Sequence, residues 1–275
     1  MRWLAARRDP VVGSPASVTR TWYWSSRWLP QGWVDALRQL TLFAAAYYAY
    51  RIVRGIVEGQ ATVAFEHARW IVDAEKGIGL FFEPGLQHWA MGRSWLIDMA
   101  DWTYLNSHFL LTSGFLIWLY LARNRAFYFV RNMFMIAMGL ALIGYVLFPA
   151  APPRLLPEWG FTDTVTNAVG PTQANTAKLL FNPYAAMPSM HVAFALMIAV
   201  PAIKVTATRA LRWLWAAYPL YITLVVMVTA NHFWLDAIAG GLVAAVSAYA
   251  AHAGLGRARP QAWAWRPMLE AEAAA

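Results

Sequence analysis

The chain is 275 residues long, 60% hydrophobic and only 13% charged, against about 25% charged residues in a soluble domain, which excludes intrinsic disorder and an ordinary nucleic-acid-binding domain. Its net charge of +8 comes from cations beside apolar runs, where they read as membrane-topology signals rather than as a surface for an anionic macromolecule. With no cysteine, disulfides, cysteine-ligated zinc and thiol catalysis are excluded.

In chain order, Met1–Leu29 is basic and broken by prolines, with no apolar central run. It reads as a cytoplasmic tail (domain 1–34) rather than a cleavable signal peptide. A hydrocarbon core about 30 Å thick needs about 20 helical residues, and six segments qualify: Asp35–Ile56, Trp102–Ala122, Asn132–Phe148, Met190–Val205, Leu211–Ala230 and His232–Gly254. The first carries Arg38, Arg51 and Arg54; Arg51 and Arg54 lie near its outer end, where they either snorkel to headgroups or hold a lipid phosphate. Between the first two spans, Ala61–Phe82 mixes Phe65, Ala68, Trp70, Ile71, Val72 and Ile78 irregularly with Glu66, Arg69, Asp73, Glu75 and Lys76. It reads as a helix in the outer interface (segment 61–96) with Glu75 on a solvated face. The Ala-rich end, 255–275, is a second tail. The 16 Trp and 12 Tyr suit interfacial belts. No internal repeat is visible, which argues against a transporter of duplicated halves.

Fifteen of the 22 cations lie in the tails and one set of loops, including Arg123, Arg125, Arg131, Lys204 and Arg209; the opposite side holds the other seven and most of the acids. Both termini are therefore expected in the cytoplasm, leaving 57–101, 149–189 and the link near Asn231 outside. The fold class is accordingly all-α: a polytopic six-helix membrane domain over 35–254, with an interfacial helical segment and an outer loop, 149–189.

Three outward segments carry polar groups that packing alone does not require. Phe148-Pro-Ala-Ala-Pro-Pro-Arg154 follows the third span, and its prolines fix an extended chain projecting Arg154. The guanidinium fork matches phosphate oxygens, though an interfacial arginine on headgroups is an equal alternative. Asn182-Pro-Tyr184-Ala-Ala-Met-Pro-Ser189-Met190-His191 enters the fourth span. Pro188 suits a helix start, and Ser189 with the following N–H groups can face an anion at the positive helix end. Asn231-His232-Phe-Trp-Leu-Asp236 opens the sixth span, placing His232 and Asp236 on one face. The carboxylate can orient the imidazole as a nucleophile or base; a metal pair or a buried structural pair stays open. Within the second span, Asn106 and His108 face the bundle interior, for a substrate cavity or for interhelical hydrogen bonds.

In order and content these segments resemble the type-2 phosphatidic acid phosphatase superfamily, from about Arg69 to Gly241. Leu147 stands where the phosphatase pattern has a lysine, Leu155 follows Arg154 where it has proline, Met190 occupies a glycine slot, and Val225-Val226 replaces Ser-Arg. The transferase branch also lacks that last arginine, so the chain is most similar to inositolphosphotransferases such as inositol phosphorylceramide synthase. The resemblance implies a six-helix bundle and a phosphohistidine on His232, with Asp236 orienting it and His191 as general acid and base. It also implies that Arg154, Ser189 and the Met190 N–H hold the phosphoryl oxygens, with no metal and no cofactor. Asn182, Tyr184, Asn231, Asn106 and His108 are candidate cavity residues. The expected partners are the bilayer, a lipid phosphoester and an alcohol acceptor such as inositol, in the plasma membrane with the site facing out. A lipid phosphate phosphatase using water, and a non-catalytic transporter or scaffold, are the alternatives.

Overall fold

Residues 29–30, 32–167 and 184–255 are described by the computed structural model; most of the expected tails, and Asn182, lie outside the described residues. Nine α-helices carry the described chain: α1 (Gly32–Glu58), α2 (Ala61–Gly77), α3 (Glu83–Met91), α4 (Ser94–Trp102), α5 (His108–Ala122), α6 (Asn124–Leu147), α7 (Met190–Val205), α8 (Arg209–Val228) and α9 (Trp234–Tyr249). A π-turn, Thr103–Ser107, joins α4 to α5, and another, Ala250–Leu255, extends α9. Among the described residues there is no strand, only an isolated parallel bridge between Ala150 and Ala185.

Among the described residues three helices are long and apolar enough to cross a bilayer: Ala126–Leu147, Arg209–Val228 and Trp234–Gly254. The α4–α5 pair, bent by 40°, makes a fourth if it is one span. α7 has 16 residues. α1 has 27, but Asp35, Arg38, Arg51, Arg54 and Glu58 dilute it. Large apolar side chains lie exposed along these helices, among them Phe109, Ile117, Leu147, Leu220 and Leu242, as lipid-facing surfaces require. The chain is an integral membrane protein.

The central core joins Leu119 of α5, Phe127, Val130 and Phe134 of α6, Met197 and Ile198 of α7 and Ala244 of α9. At the end of the bundle where α5 turns into α6, a polar network replaces apolar packing. Asp35 accepts from Tyr120 at 3.0 Å, Tyr128 at 2.6 Å and Gln39 at 3.0 Å, and Arg131 donates to Gln39 at 2.9 Å. Asp35, Gln39 and Arg131 are buried, so every partner in the network is needed to offset desolvation.

Two span boundaries differ from expectation. Helix α6 begins at Asn124, eight residues before the expected Asn132, because Asn124 turns its amide onto the Tyr120 carbonyl (3.0 Å) and the helix resumes after one residue. Arg131 is therefore a buried helical residue and not a loop cation. The second span also starts earlier than Trp102: the chain is helical from Ser94, bent near the π-turn.

The segment expected as one irregular interfacial helix over Ala61–Phe82 is α2, which ends at Gly77; the chain then turns through Gly79, at φ +72°. Its buried residues, Ala64, His67, Ala68, Ile71, Val72 and Glu75, form a regular i, i+3, i+4 stripe. Glu75 is fully buried, contrary to the solvated face expected of it. The stripe packs on Ala150, Ala151, Leu156, Phe161, Ala230 and Phe233, so α2 covers the loops that carry the polar motifs.

Candidate active site

The three polar segments are far apart in sequence, and backbone hydrogen bonds tie each to the other two. Ala150 N–H donates to Tyr184 (3.0 Å) and Ala186 N–H to Ala150 (3.2 Å), joining the first segment to the second. Arg154 N–H donates to Ala230 at 2.7 Å, joining the first to the third. Ser189 N–H donates to the Asp236 carbonyl at 2.9 Å, joining the second to the third. Glycine permits this closeness. A Cβ on Gly240 of α9 would overlap the Ser189 carbonyl oxygen, and one on Gly144 of α6 would meet Pro188 Cδ at 3.0 Å.

His232 is buried just before α9, and its Nδ1 lies 2.7 Å from the Ala186 carbonyl. A carbonyl only accepts, so Nδ1 carries the proton and Nε2 keeps its lone pair. The carboxylate expected to take this hydrogen bond is a second neighbour: Asp236 Oδ2 lies 3.5 Å from Nδ1 and accepts instead from the Phe233 N–H at 2.9 Å. That bond caps α9, with Asp236 at its third position. Asp236 Oδ1 is buried without a hydrogen-bond partner.

His191, in the first turn of α7, lies with its ring centroid 5.7 Å from that of His232 at an interplanar angle of 59°. It stacks on Tyr104 at 4.5 Å and hydrogen-bonds to the Tyr104 backbone. Tyr104 belongs to the π-turn, whose wider winding takes its backbone out of the regular i to i−4 ladder. Ser189 immediately precedes α7; it is fully buried, and its Oγ has no hydrogen-bond partner. Such an orphaned hydroxyl at a helix N-terminus is suited to an anion.

Arg154 donates from Nη1 to Asn231 Oδ1 at 2.5 Å and pairs with Asp163 at 3.7 Å. Asn231 in turn donates to Thr229 O and Oγ1. Val225 and Val226 are buried in apolar clusters, and their carbonyls receive the N–H groups of Thr229, Asn231 and His232. Among the described residues, Arg154 therefore supplies a cation to this constellation.

Arg154, Ser189, Met190, His191, Asn231, His232 and Asp236 thus gather at one end of the bundle, with Tyr184 in the bridge beside them. Asn106 hydrogen-bonds the Trp102 carbonyl of its own helix at 3.0 Å rather than another helix. The side chains of His108, Arg51 and Arg54, like Asn182, lie outside the described residues. Sequence reasoning missed Ala186 and Tyr104, which act through backbone groups, and Gly240, although its place four residues after Asp236 puts both on one face of α9. It also missed Glu83, which sits beside the buried Glu75.

A profile of the PAP2 superfamily matches residues 69–250, a range that holds Arg154, Ser189, Met190, His191, Asn231, His232 and Asp236. The chain belongs to that superfamily. No curated protein and no solved structure matches it. Membership in the PAP2 superfamily points to phosphatase or phosphotransferase chemistry on phosphoesters in membranes.

Proposed function

We propose that this PAP2 protein is a membrane phosphotransferase acting on lipid phosphoesters through a phosphohistidine on His232. The observation that carries the reading is the state of that imidazole: Nδ1 is committed to the Ala186 carbonyl, Nε2 keeps its lone pair, and His191 lies across from it. His232 Nε2 attacks phosphorus, and the bond to the leaving alkoxide breaks as His191 gives it a proton. Asp236, 3.5 Å from Nδ1, stabilises the phosphoimidazolium. Arg154, the Ser189 hydroxyl and the Met190 N–H hold the equatorial oxygens. His191 then deprotonates the acceptor, which takes the phosphoryl group from His232.

The acceptor in this reading is an alcohol of the inositol type, because Val225 and Val226 replace the Ser-Arg of the phosphatase pattern. The protein crosses the membrane six times, with both termini in the cytoplasm and the site at the outer leaflet of the plasma membrane. The cation distribution and the position of all three motifs at one end of the bundle support this topology.

The test is a panel of lipid phosphoesters incubated with purified protein, with and without inositol and with EDTA throughout. Headgroup exchange, with acid-labile phosphate on the protein that disappears in His232→Ala, is expected. Phosphate release alone would make water the acceptor and the protein a phosphatase. Unchanged turnover in His232→Ala would remove the nucleophile, and loss of activity in EDTA restored by a divalent ion would replace the metal-free mechanism.

A further inference from the structure

Two buried acids outside the proposed chemistry meet the first turn of α9. Glu75 of α2 and Glu83 of α3 are each 0% exposed. Glu83 accepts from Trp234 N–H through Oε1 and from Phe82 N–H through Oε2, both at 3.0 Å. Glu75 Oε1 accepts from Leu235 N–H at 3.3 Å. With Asp236 on the Phe233 N–H, three successive amides at the start of α9 are capped by three carboxyls from three helices. These are the N–H groups a helix leaves unsatisfied.

The protons needed by this arrangement can be counted. The Glu75 and Glu83 side chains lie within hydrogen-bonding reach of each other, while Glu75 Oε2 is buried and meets no donor. Two ionised carboxylates cannot hydrogen-bond, and among the described residues no cation pairs with them. Adjacent Lys76 holds its ammonium over the Phe81 and Trp159 rings, 5.1 Å from each centroid. Glu83 already accepts two N–H groups, so it is the better anion; Glu75 accepts one, so it is the better acid.

We infer that Glu75 and Glu83 share one proton, carried by Glu75, and that the pair positions the start of α9, and through it His232 and Asp236, against α7. The pair fills the positive end of α9 with protein carboxyls, so a phosphoester anion is directed to the start of α7, where Ser189 Oγ is unpartnered. Holding one proton also keeps a second negative charge away from that anion.

Burial and, after it, the neighbouring Glu83 raise the Glu75 carboxyl from 4.5 to about 9. Among the described residues the charged groups facing it are Glu83 of α3 and Asp236 of α9, and both act in this direction. Because the folded value is the higher one, stability due to the proton is fully present below about pH 4.5 and is lost as pH rises toward 9.

The test is thermal unfolding of the purified full-length protein in detergent from pH 6 to 10, for wild type, Glu75→Gln and Glu83→Gln. The amide in Glu75→Gln can accept from Leu235 and donate to Glu83, imitating the protonated acid. In Glu83→Gln one end of the side chain becomes an NH2 facing an N–H. Glu75→Gln is expected to fold, and its Tm relative to wild type should rise by about 5 °C or more between pH 6 and 9. Glu83→Gln should be much less stable or fail to fold. Parallel wild-type and Glu75→Gln profiles, or equal effects of the two substitutions, would overturn the shared proton.

The positioning role rests on the proposed chemistry and is read separately. Glu75→Gln should keep kcat at pH 7 within about threefold, whereas Glu75→Ala, if folded, should lose about 10-fold or more in kcat with little change in KM. Full activity in a folded Glu75→Ala would overturn positioning. Melting needs no turnover, so an inactive wild type would count against the function and leave the proton test standing.

Discussion

Replacing Asp236 by asparagine isolates one charge. The amide is nearly isosteric with the carboxylate, and its carbonyl can still accept the Phe233 N–H that caps α9, so folding should survive. The tautomer of His232 should survive too, because the Ala186 carbonyl holds the Nδ1 proton. What is lost is a carboxylate 3.5 Å from a ring that becomes cationic when Nε2 bonds phosphorus. At an effective dielectric of about 20, that attraction is about 5 kcal/mol. Part of it is replaced by the amide dipole, leaving about 3–4 kcal/mol, or a rate loss of roughly 10²–10³. The assay is the initial rate of phosphoryl transfer from a labelled lipid phosphoester in mixed micelles, with Tm measured on the same preparation. A folded variant within threefold of wild type would refute the reasoning, because the carboxyl would then be neutral during turnover or irrelevant to the imidazolium.

Gly240→Ala places a methyl against the Ser189 carbonyl and should cost about 1–3 kcal/mol by overpacking, with a 10-fold or greater loss of turnover. Gly241→Ala, whose methyl would meet Leu196 Cδ1 at an ordinary 3.8 Å, is the control, and equal rates for the two would show that the close approach is dispensable. At the opposite end, Asp35→Ala removes the buried acceptor shared by the hydroxyls of Tyr120 and Tyr128 and should lower stability by about 2–4 kcal/mol, measured as Tm, while the folded fraction keeps its specific activity. A cysteine at exposed Glu158 should react with an impermeant thiol reagent in intact cells, and one at exposed Ala207 only after lysis. The reverse pattern would place the site in the cytoplasm.

Composition and apolar run length made three or four of the six expected membrane helices legible, because a bilayer imposes one length and one polarity on every crossing. The starts of α7 and α9 were legible from Pro188 and from the His232-to-Asp236 spacing, since local chemistry sets helix starts. The buried glutamates were not legible. Glu75 was read as solvated because carboxylates are seldom buried unpaired, and nothing local reveals that α2 folds over the loop or that Glu83 waits opposite. Arg131 looked like a topology signal because its partner Gln39 is 92 residues away. The imidazole of His232 was expected to bind the carboxylate one turn ahead, yet its nearest acceptor is a backbone carbonyl 46 residues earlier. Sequence determined which residues stand at the helix ends, because spacing along a helix is local. Only the tertiary structure decided which of them meet, because burial and hydrogen-bond partners belong to segments the chain order keeps apart.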